Sequence, residues 1–391
     1  MRIMKFIGVA AFLCSCTVYA DPQHPKGRIV LDQSQDVFFE QFSPSTYSLQ
    51  ILQAKKQFDH ADLILGGLLQ LDFQNWHGDR VETTPPGFYG AGNGFYFTQA
   101  TGDVMENVSS WATTFFSLAE SHIGRNDPNG DYVYLPHAFI LLGNLDALPF
   151  FLTFGINSIP FGVFSGSGPW DTPLTTAYFD PTQSPQLSLG YNKNGWNADA
   201  TMYSDEVNHD NHFVYNFFYN KDSDNYSYTI GAGYLTDLKT NSTGNPTVSK
   251  NQRVSLLGDN LGAVVDWNAS VTYLLFSLSG EYTFGHKKVG LNDDKPKAYA
   301  VALNYTPNIA GKDTTFGLGH SKAFKLRRIE TPFPGYDNLL QSLSGLNNSW
   351  ALSVSRPLTK NNFVLGLEFE KSTTFFERNT YTTTLDLMTY L

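Results

Sequence analysis

Leu63-Ile64-Leu65-Gly66-Gly67-Leu68-Leu69-Gln70-Leu71-Asp72-Phe73-Gln74-Asn75 decides the fold. The odd positions Leu63, Leu65, Leu69, Leu71 and Phe73 are apolar, whereas Gln70, Asp72 and Gln74 between the later ones are polar. Successive strand residues point to opposite sides of a sheet, so this stretch has one greasy face and one wet face. The same period recurs near 94–101, 108–122, 132–143, 149–160, 185–192, 196–204, 211–220, 226–237, 263–273, 276–286, 296–306, 313–322, 347–357, 362–372 and 380–391. Each of these about sixteen segments is close to the roughly 10 residues that a tilted membrane strand needs. After the first 20 residues, no stretch reaches the apolar length expected of a membrane helix.

The connections sort by length. With the first strand running outward, the outer ones are 77–93, 123–131, 161–184, 205–210, 238–262, 287–295, 323–346 and 373–379, all from the same reading of the sequence. The inner ones are short, such as Lys193-Asn194-Gly195, Lys221 to Asn225, Tyr273 to Leu275 and Leu358 to Asn361. Outer-membrane barrels alternate short periplasmic turns with long outer loops, and a soluble sandwich has no reason to. The final strand agrees: Tyr381, Thr383, Leu385, Leu387, Thr389 and Leu391 share a face, and only Asp386 on the other is charged. Such a terminal strand resembles the signal read by the barrel assembly machinery, although Leu391 stands where an aromatic residue is usual. The expected fold class is therefore all-β: an antiparallel transmembrane β-barrel of about 16 strands with long outer loops and short periplasmic turns.

Composition excludes other classes. Aromatic residues make up 15% and charged residues 16% of the 391, with a formal charge of −10. Soluble domains carry about 25% charged residues, and an acidic, aromatic-rich chain suits neither disorder nor nucleic-acid binding. Arg2, Lys5, the apolar run Phe6 to Leu13, and Val18-Tyr19-Ala20 read as an export signal over 1–20, cut before Asp21. Leu13-Cys14-Ser15-Cys16 also resembles a lipobox, and lipidation of Cys16 is the competing route. Both cysteines lie in this part, so after cleavage at Ala20 no disulfide or thiolate site remains. Residues 21–60 read as a periplasmic leader, broken by Pro22, Pro25 and Pro44, with one short helix over Tyr47 to Ala54 that enters the barrel mouth. Residues 61–391 form the barrel.

No catalytic constellation, Gly-rich phosphate loop or Gly-x-Ser-x-Gly elbow is visible, and no cofactor is implied. His209-Asp210-Asn211-His212, preceded by Asp205 and Glu206, is the one metal-like cluster, and a solvated loop explains it better. The connection 161–184, rich in Gly and Pro, carries Trp170, Asp171 and Tyr178 as candidate constriction or ligand contacts, either folded into the lumen or packed over the rim. Lys322, Lys325, Arg327 and Arg328, with Arg80 in the first outer connection, form the candidate site for an anionic ligand or for lipopolysaccharide phosphates. Aromatics near strand ends, such as Trp76, Trp196, Tyr273 and Trp350, suit interfacial girdles.

Several patches resemble the LbtU-type siderophore porins of Gram-negative bacteria. They are Asp62 to Asp72, Asp103 to Val108 leading to Trp111, Phe151-Leu152-Thr153-Phe154-Gly155 running to Ile159-Pro160-Phe161-Gly162, Asp171-Thr172-Pro173-Leu174-Thr175, Gln186 to Tyr191, and Phe276 to Tyr282. The resemblance implies an outer-membrane barrel of 16 strands that takes up ferric siderophores, or iron more generally, without the usual energised plug. Length agrees independently, since plugged transporters use 22 strands. The expected partners are a ferric siderophore or another small solute, outer-membrane lipid and lipopolysaccharide, with trimer-like oligomers common among such barrels. The rival readings are a general or substrate-selective diffusion porin, a structural or adhesive surface barrel, and an outer-membrane hydrolase for which no nucleophile and base come together.

Overall fold

The computed structural model describes residues 29–31, 44–58, 62–84, 87–121, 132–163, 166–168, 172–181, 183–204, 211–237, 262–286, 295–326, 331–332, 341–342, 345–359 and 363–390. Sixteen antiparallel strands close into a barrel. They are β1 (Leu63–Thr84), β2 (Gly87–Glu106), β3 (Ala112–Ser121), β4 (Tyr132–Gly143), β5 (Phe150–Ser158), β6 (Gln183–Lys193), β7 (Trp196–Ser204) and β8 (Asn211–Asp222). The second half comprises β9 (Tyr226–Leu235), β10 (Val264–Tyr273), β11 (Phe276–Gly285), β12 (Lys297–Tyr305), β13 (Thr315–Phe324), β14 (Leu346–Pro357), β15 (Phe363–Thr374) and β16 (Asn379–Tyr390). Each strand pairs with the next, and β16 returns to β1 from Leu68↔Tyr390 to Gly78↔Thr380.

The alternation read in the first strand is the wall of the barrel. Gln70, Asp72 and Gln74 are buried and face inward, while Phe73 is exposed on the outside. The same parity exposes Ile140, Phe154, Leu189, Phe217, Leu352 and Leu385 and buries Thr201, Asn216, Thr283, Ser372 and Thr382. An apolar exterior around a polar interior is the inverse of a water-soluble protein, and it is what a lipid-facing barrel requires.

One end carries the short turns and the other the long connections. At the turn end, Lys193 and Trp196 are joined by Asn194 and Gly195, both at positive φ (54° and 83°). This is the mirror-image turn that matches strand twist and favours Asn-Gly. A Cβ on Gly195 would lie 2.2 Å from the carbonyl oxygen of Asn220, so glycine is required there.

Two strand ends differ from the sequence reading. The first long connection, expected over 77–93, is mostly strand: β1 continues to Thr84, β2 starts at Gly87, and a bulge between His77 and Val81 separates this extension from the barrel wall. Beyond Gly78 the extension has lost β16 as a partner, and residues from the 325–345 connection replace it through Gln341↔Thr84 and Ser342↔Thr83. At the turn end, Leu63–Leu65 project past the last β16 pair, and a three-residue strand, Ile29–Leu31, runs parallel to them. Backbone pairing thus extends beyond the seam at both ends of β1.

Leu385, half-exposed midway along β16, tests which face meets lipid. Leu385→Arg should lower the stability of the bilayer-folded protein by roughly 2–4 kcal/mol. The check is the denaturant midpoint for unfolding from lipid vesicles, and an unchanged midpoint would place that face away from the hydrocarbon.

Candidate functional site: a lumen between two inserted segments

Helix α1 (Tyr47–Ala54) lies at the turn end with nearly all of its apolar side chains buried. Tyr47, Leu49, Ile51, Leu52 and Ala54 pack against Ile64, Met105, Phe115, Phe139, Leu141, Phe151 and Phe218 of the inner wall. The Tyr47 ring stacks on His137 at 4.5 Å between centroids, and Ser48 Oγ accepts hydrogen bonds from Thr153 Oγ1 and Asn157 Nδ2, both at 3.1 Å. An eight-residue helix does not hold its shape alone in water, so its order comes from this packing. Just beyond it, Lys55 Nζ donates to the carbonyl oxygens of Gly143 (2.9 Å) and Ser110 (3.2 Å), and Lys56 pairs with Asp146 at 2.6 Å. Burial, with Lys56 beside it, holds the Lys55 amine below its ordinary pKa. The segment is tied by side chains to two turns of the barrel.

The second inserted segment is the connection between β5 and β6. Its described parts cross the lumen to the opposite wall. Val163 N donates to Glu281 Oε1 of β11 at 2.7 Å, Ser353 Oγ of β14 donates to the Ser167 carbonyl at 2.8 Å, and Leu174 N donates to Ser321 Oγ of β13 at 3.2 Å. Gly317 admits this crossing, because a Cβ there would overlap the Ser167 carbonyl oxygen. Helix α2 (Leu174–Phe179) then buries Leu174, Ala177, Tyr178 and Phe179 with Phe161 against Tyr203, Val214, Leu235, Val264, Ala298 and Ala323. Apolar side chains therefore fill much of the lumen near the long-loop end.

The singled-out residues fall in different places. Tyr178 is buried in that apolar cluster and its hydroxyl donates to the Leu346 carbonyl at 2.7 Å, so it anchors the segment to β14. Trp170 and Asp171 lie outside the described residues, as do Arg327 and Arg328. Arg80 sits on the β1 extension, and Lys325 follows β13 with a left-handed backbone (φ 63°). Lys322 has outward parity on β13; it and Lys297 of β12 both lie over the Phe324 ring, at 5.4 and 5.1 Å. Beside them Tyr299, His320 and Trp350 line the outer surface, the last two stacked at 4.0 Å. Of the metal-like cluster only Asn211 and His212 are described, and His212 Nδ1 is 3.9 Å from Asp237 Oδ2. Among the described residues no group of three or more His, Cys, Asp or Glu is arranged to hold a metal.

Among the described side chains of the barrel strands, every lysine and arginine falls on the outward parity. Asp72, Asp103, Asp266, Glu281, Glu368 and Asp386 face inward. At the seam Gln70 Nε2 donates to Asp386 Oδ1 at 3.0 Å and Asp72 stands opposite Asp386 in register, while on the other side of β1 Thr98 Oγ1 of β2 donates to Asp72.

The family described as a protein of unknown function, DUF3573, matches residues 35–264, from ahead of α1 to the start of β10. This chain belongs to the DUF3573 family. A UPF0422 protein of Coxiella burnetii is 26% identical over 262 residues, 61% of this chain and 54% of its own length, so the DUF3573 chain spans about half of that curated relative. Among solved structures, Pseudomonas putida OprB has a TM-score of 0.56 at 11% identity, covering 88% of this chain and 97% of OprB. An anion-selective porin from Comamonas acidovorans has a TM-score of 0.54 at 10% identity, covering 85% and 100%. At such identities the likeness shows the porin fold.

What sequence reasoning missed in this DUF3573 protein is the short helix within the second inserted segment and the height at which each wall residue stands. If α1 narrows the passage, Ile51→Asp should release it, because an unpaired carboxylate in that cluster costs several kcal/mol, more than a short helix retains. Single-channel conductance in planar bilayers should then rise roughly twofold or more, and an unchanged conductance would show that α1 does not limit the path.

Proposed function

We propose that the protein is an outer-membrane porin for small polar solutes, exported by its N-terminal signal, with the short turns on the periplasmic side. The observation that carries this reading is the closed barrel of sixteen strands with an apolar exterior and hydrogen-bonding side chains inside. Water and polar solutes find partners on such a wall, whereas lipid meets the other face. The two inserted segments make the passage a narrowed and selective one.

Uptake of an iron-loaded chelate is the finer reading, supported by the sequence patches that resemble siderophore porins. The inward carboxyls, set against lysines and arginines of outward parity, favour a neutral or cationic chelate over an anionic one. Lys322 and Lys297, on the outer surface beside aromatic rings, suit the phosphates of lipopolysaccharide better than a solute in the pore.

Vesicle swelling with solutes of graded size, run beside uptake of radioactive iron as a ferric siderophore into cells with and without the gene, tests both levels. Swelling together with loss and restoration of iron uptake supports the finer reading. Swelling with normal iron uptake leaves a diffusion porin. An absence of both swelling and conductance would overturn transport in favour of a structural or adhesive surface barrel.

A further inference from the structure

The outer wall of the barrel gathers its cations into one sector. Strands β2–β11 carry no lysine or arginine in their long-loop halves, and Lys193 and Lys221 of those strands stand at the turn end. On β12, β13 and β15, by contrast, Lys297, Lys322 and Lys371 all have outward parity near the long loops. No Asp or Glu shares the outward parity of β12–β16, so the positive charge is not neutralised within that stretch of wall. Asp79, past the seam on β1, already accepts a hydrogen bond from Asn379 N at 2.9 Å.

Strand register sets these lysines among aromatic rings. Tyr299 of β12 stands opposite Lys322 of β13, and Lys297 stands opposite Phe324, the ring over which both ammonium groups lie. One step toward the turns, a single row runs through His320, Trp350, Lys371, Tyr381 and His77 across β13–β16 and β1. In that row His320 stacks on Trp350, Lys371 Nζ lies 5.6 Å from the centre of the Tyr381 ring, and His77 stacks on Tyr381 at 5.2 Å. Below it the wall turns apolar, with Leu303, Leu318, Leu352, Phe369 and Leu385 exposed. Rings of this kind mark the membrane interface, where a lysine on the lipid face costs little and can lay its stem on apolar surface while its ammonium reaches the polar layer.

We propose that this sector, the outer face of β12–β16 near the long loops, is a docking surface for lipopolysaccharide, with its lipid A phosphates held by Lys297, Lys322 and Lys371 and its acyl chains lying along the apolar wall below. Lysines standing directly above exposed leucines match an amphiphile with an anionic head and hydrocarbon chains. A free phosphate would use the lysines and leave the leucines uncovered, and an uncharged lipid would do the reverse. The confinement of the lysines to adjoining strands, with none at that height on β2–β11, makes this a discrete site rather than a general property of the rim. The inference rests on the proposed outer-membrane placement with the long loops outside, because lipopolysaccharide occupies the outer leaflet.

Native mass spectrometry of the full chain in detergent micelles, titrated with bisphosphorylated lipid A, dephosphorylated lipid A, phosphatidylglycerol or inorganic phosphate, tests it. The expected result is a saturable adduct of bisphosphorylated lipid A that is tighter than those of the other three probes, loosens with added salt, and weakens about tenfold or more in the Lys297→Gln/Lys322→Gln double variant. Lys371→Gln alone should weaken it about threefold, so the test survives if the double variant does not fold, and Lys221→Gln at the turn end should leave it unchanged. Equal lipid A binding in wild type and the Lys297, Lys322 and Lys371 variants, or equal binding of the dephosphorylated form, would overturn the inference. Equal binding of phosphatidylglycerol would overturn lipopolysaccharide as the occupant. Labelling of Lys325→Cys by a membrane-impermeant maleimide in intact cells separates the two claims. Labelling without lipid A binding overturns the docking surface alone, whereas labelling only after lysis overturns the outward placement of the long loops.

Discussion

A backbone amide facing hydrocarbon has no water to bond, so the structure depends on β16 closing onto β1. Gln70 of β1 donating to Asp386 of β16 cross-links the seam on its inner face as well. Where β1 outruns β16, Ile29–Leu31 pairs with it at one end and Gln341–Ser342 at the other. Closure also sets the side-chain code. Every strand must show lipid an apolar face, which leaves the inner face free to be polar.

That inner face is banded along its height. Toward the long loops it carries Val214, Leu235, Val264 and Ala298, and toward the turns Ile64, Met105, Phe115 and Phe139. Between them lie Asn216, Asn268, Ser270 and Ser279. Apolar groups facing a water-filled pore would be unfavourable by about 25 cal/mol for each Å2 left wet. The two inserted segments cover them, so the apolar bands and the insertions explain one another. What remains between is a polar band.

Much of the barrel was legible in the sequence. Alternation in Leu63–Asn75 and in Thr380–Tyr390 assigned each face correctly, because burial on a two-faced strand follows residue parity. Helix Tyr47–Ala54 was also legible, from the lack of alternation there. Three features were not. The β1 extension past Asn75 pairs with β2 across a bulge and, at its tip, with Gln341 and Ser342, partners distant in the chain. The short helix Leu174–Phe179 sits in a Gly- and Pro-rich stretch and is held by Ser321 and Leu346, contacts between segments far apart in sequence. The polar band needs four strands in register before Asn220, Thr229, Ser270 and Ser279 become neighbours. The basic residues before the long connection read as one patch, yet parity turns Lys322 outward, away from the lumen.

The central claim is that α1 resides inside the barrel, and a disulfide trap tests it most directly. Asn157 Nδ2 donates to Ser48 Oγ at 3.1 Å, so cysteines at these positions stand side by side if the helix is docked. Oxidation of S48C/N157C in intact outer membranes should give an intramolecular cross-link in most molecules and lock the conductance at its resting value. Absence of the cross-link under conditions that oxidise neighbouring strand pairs would contradict the account, because it would put the helix outside the lumen.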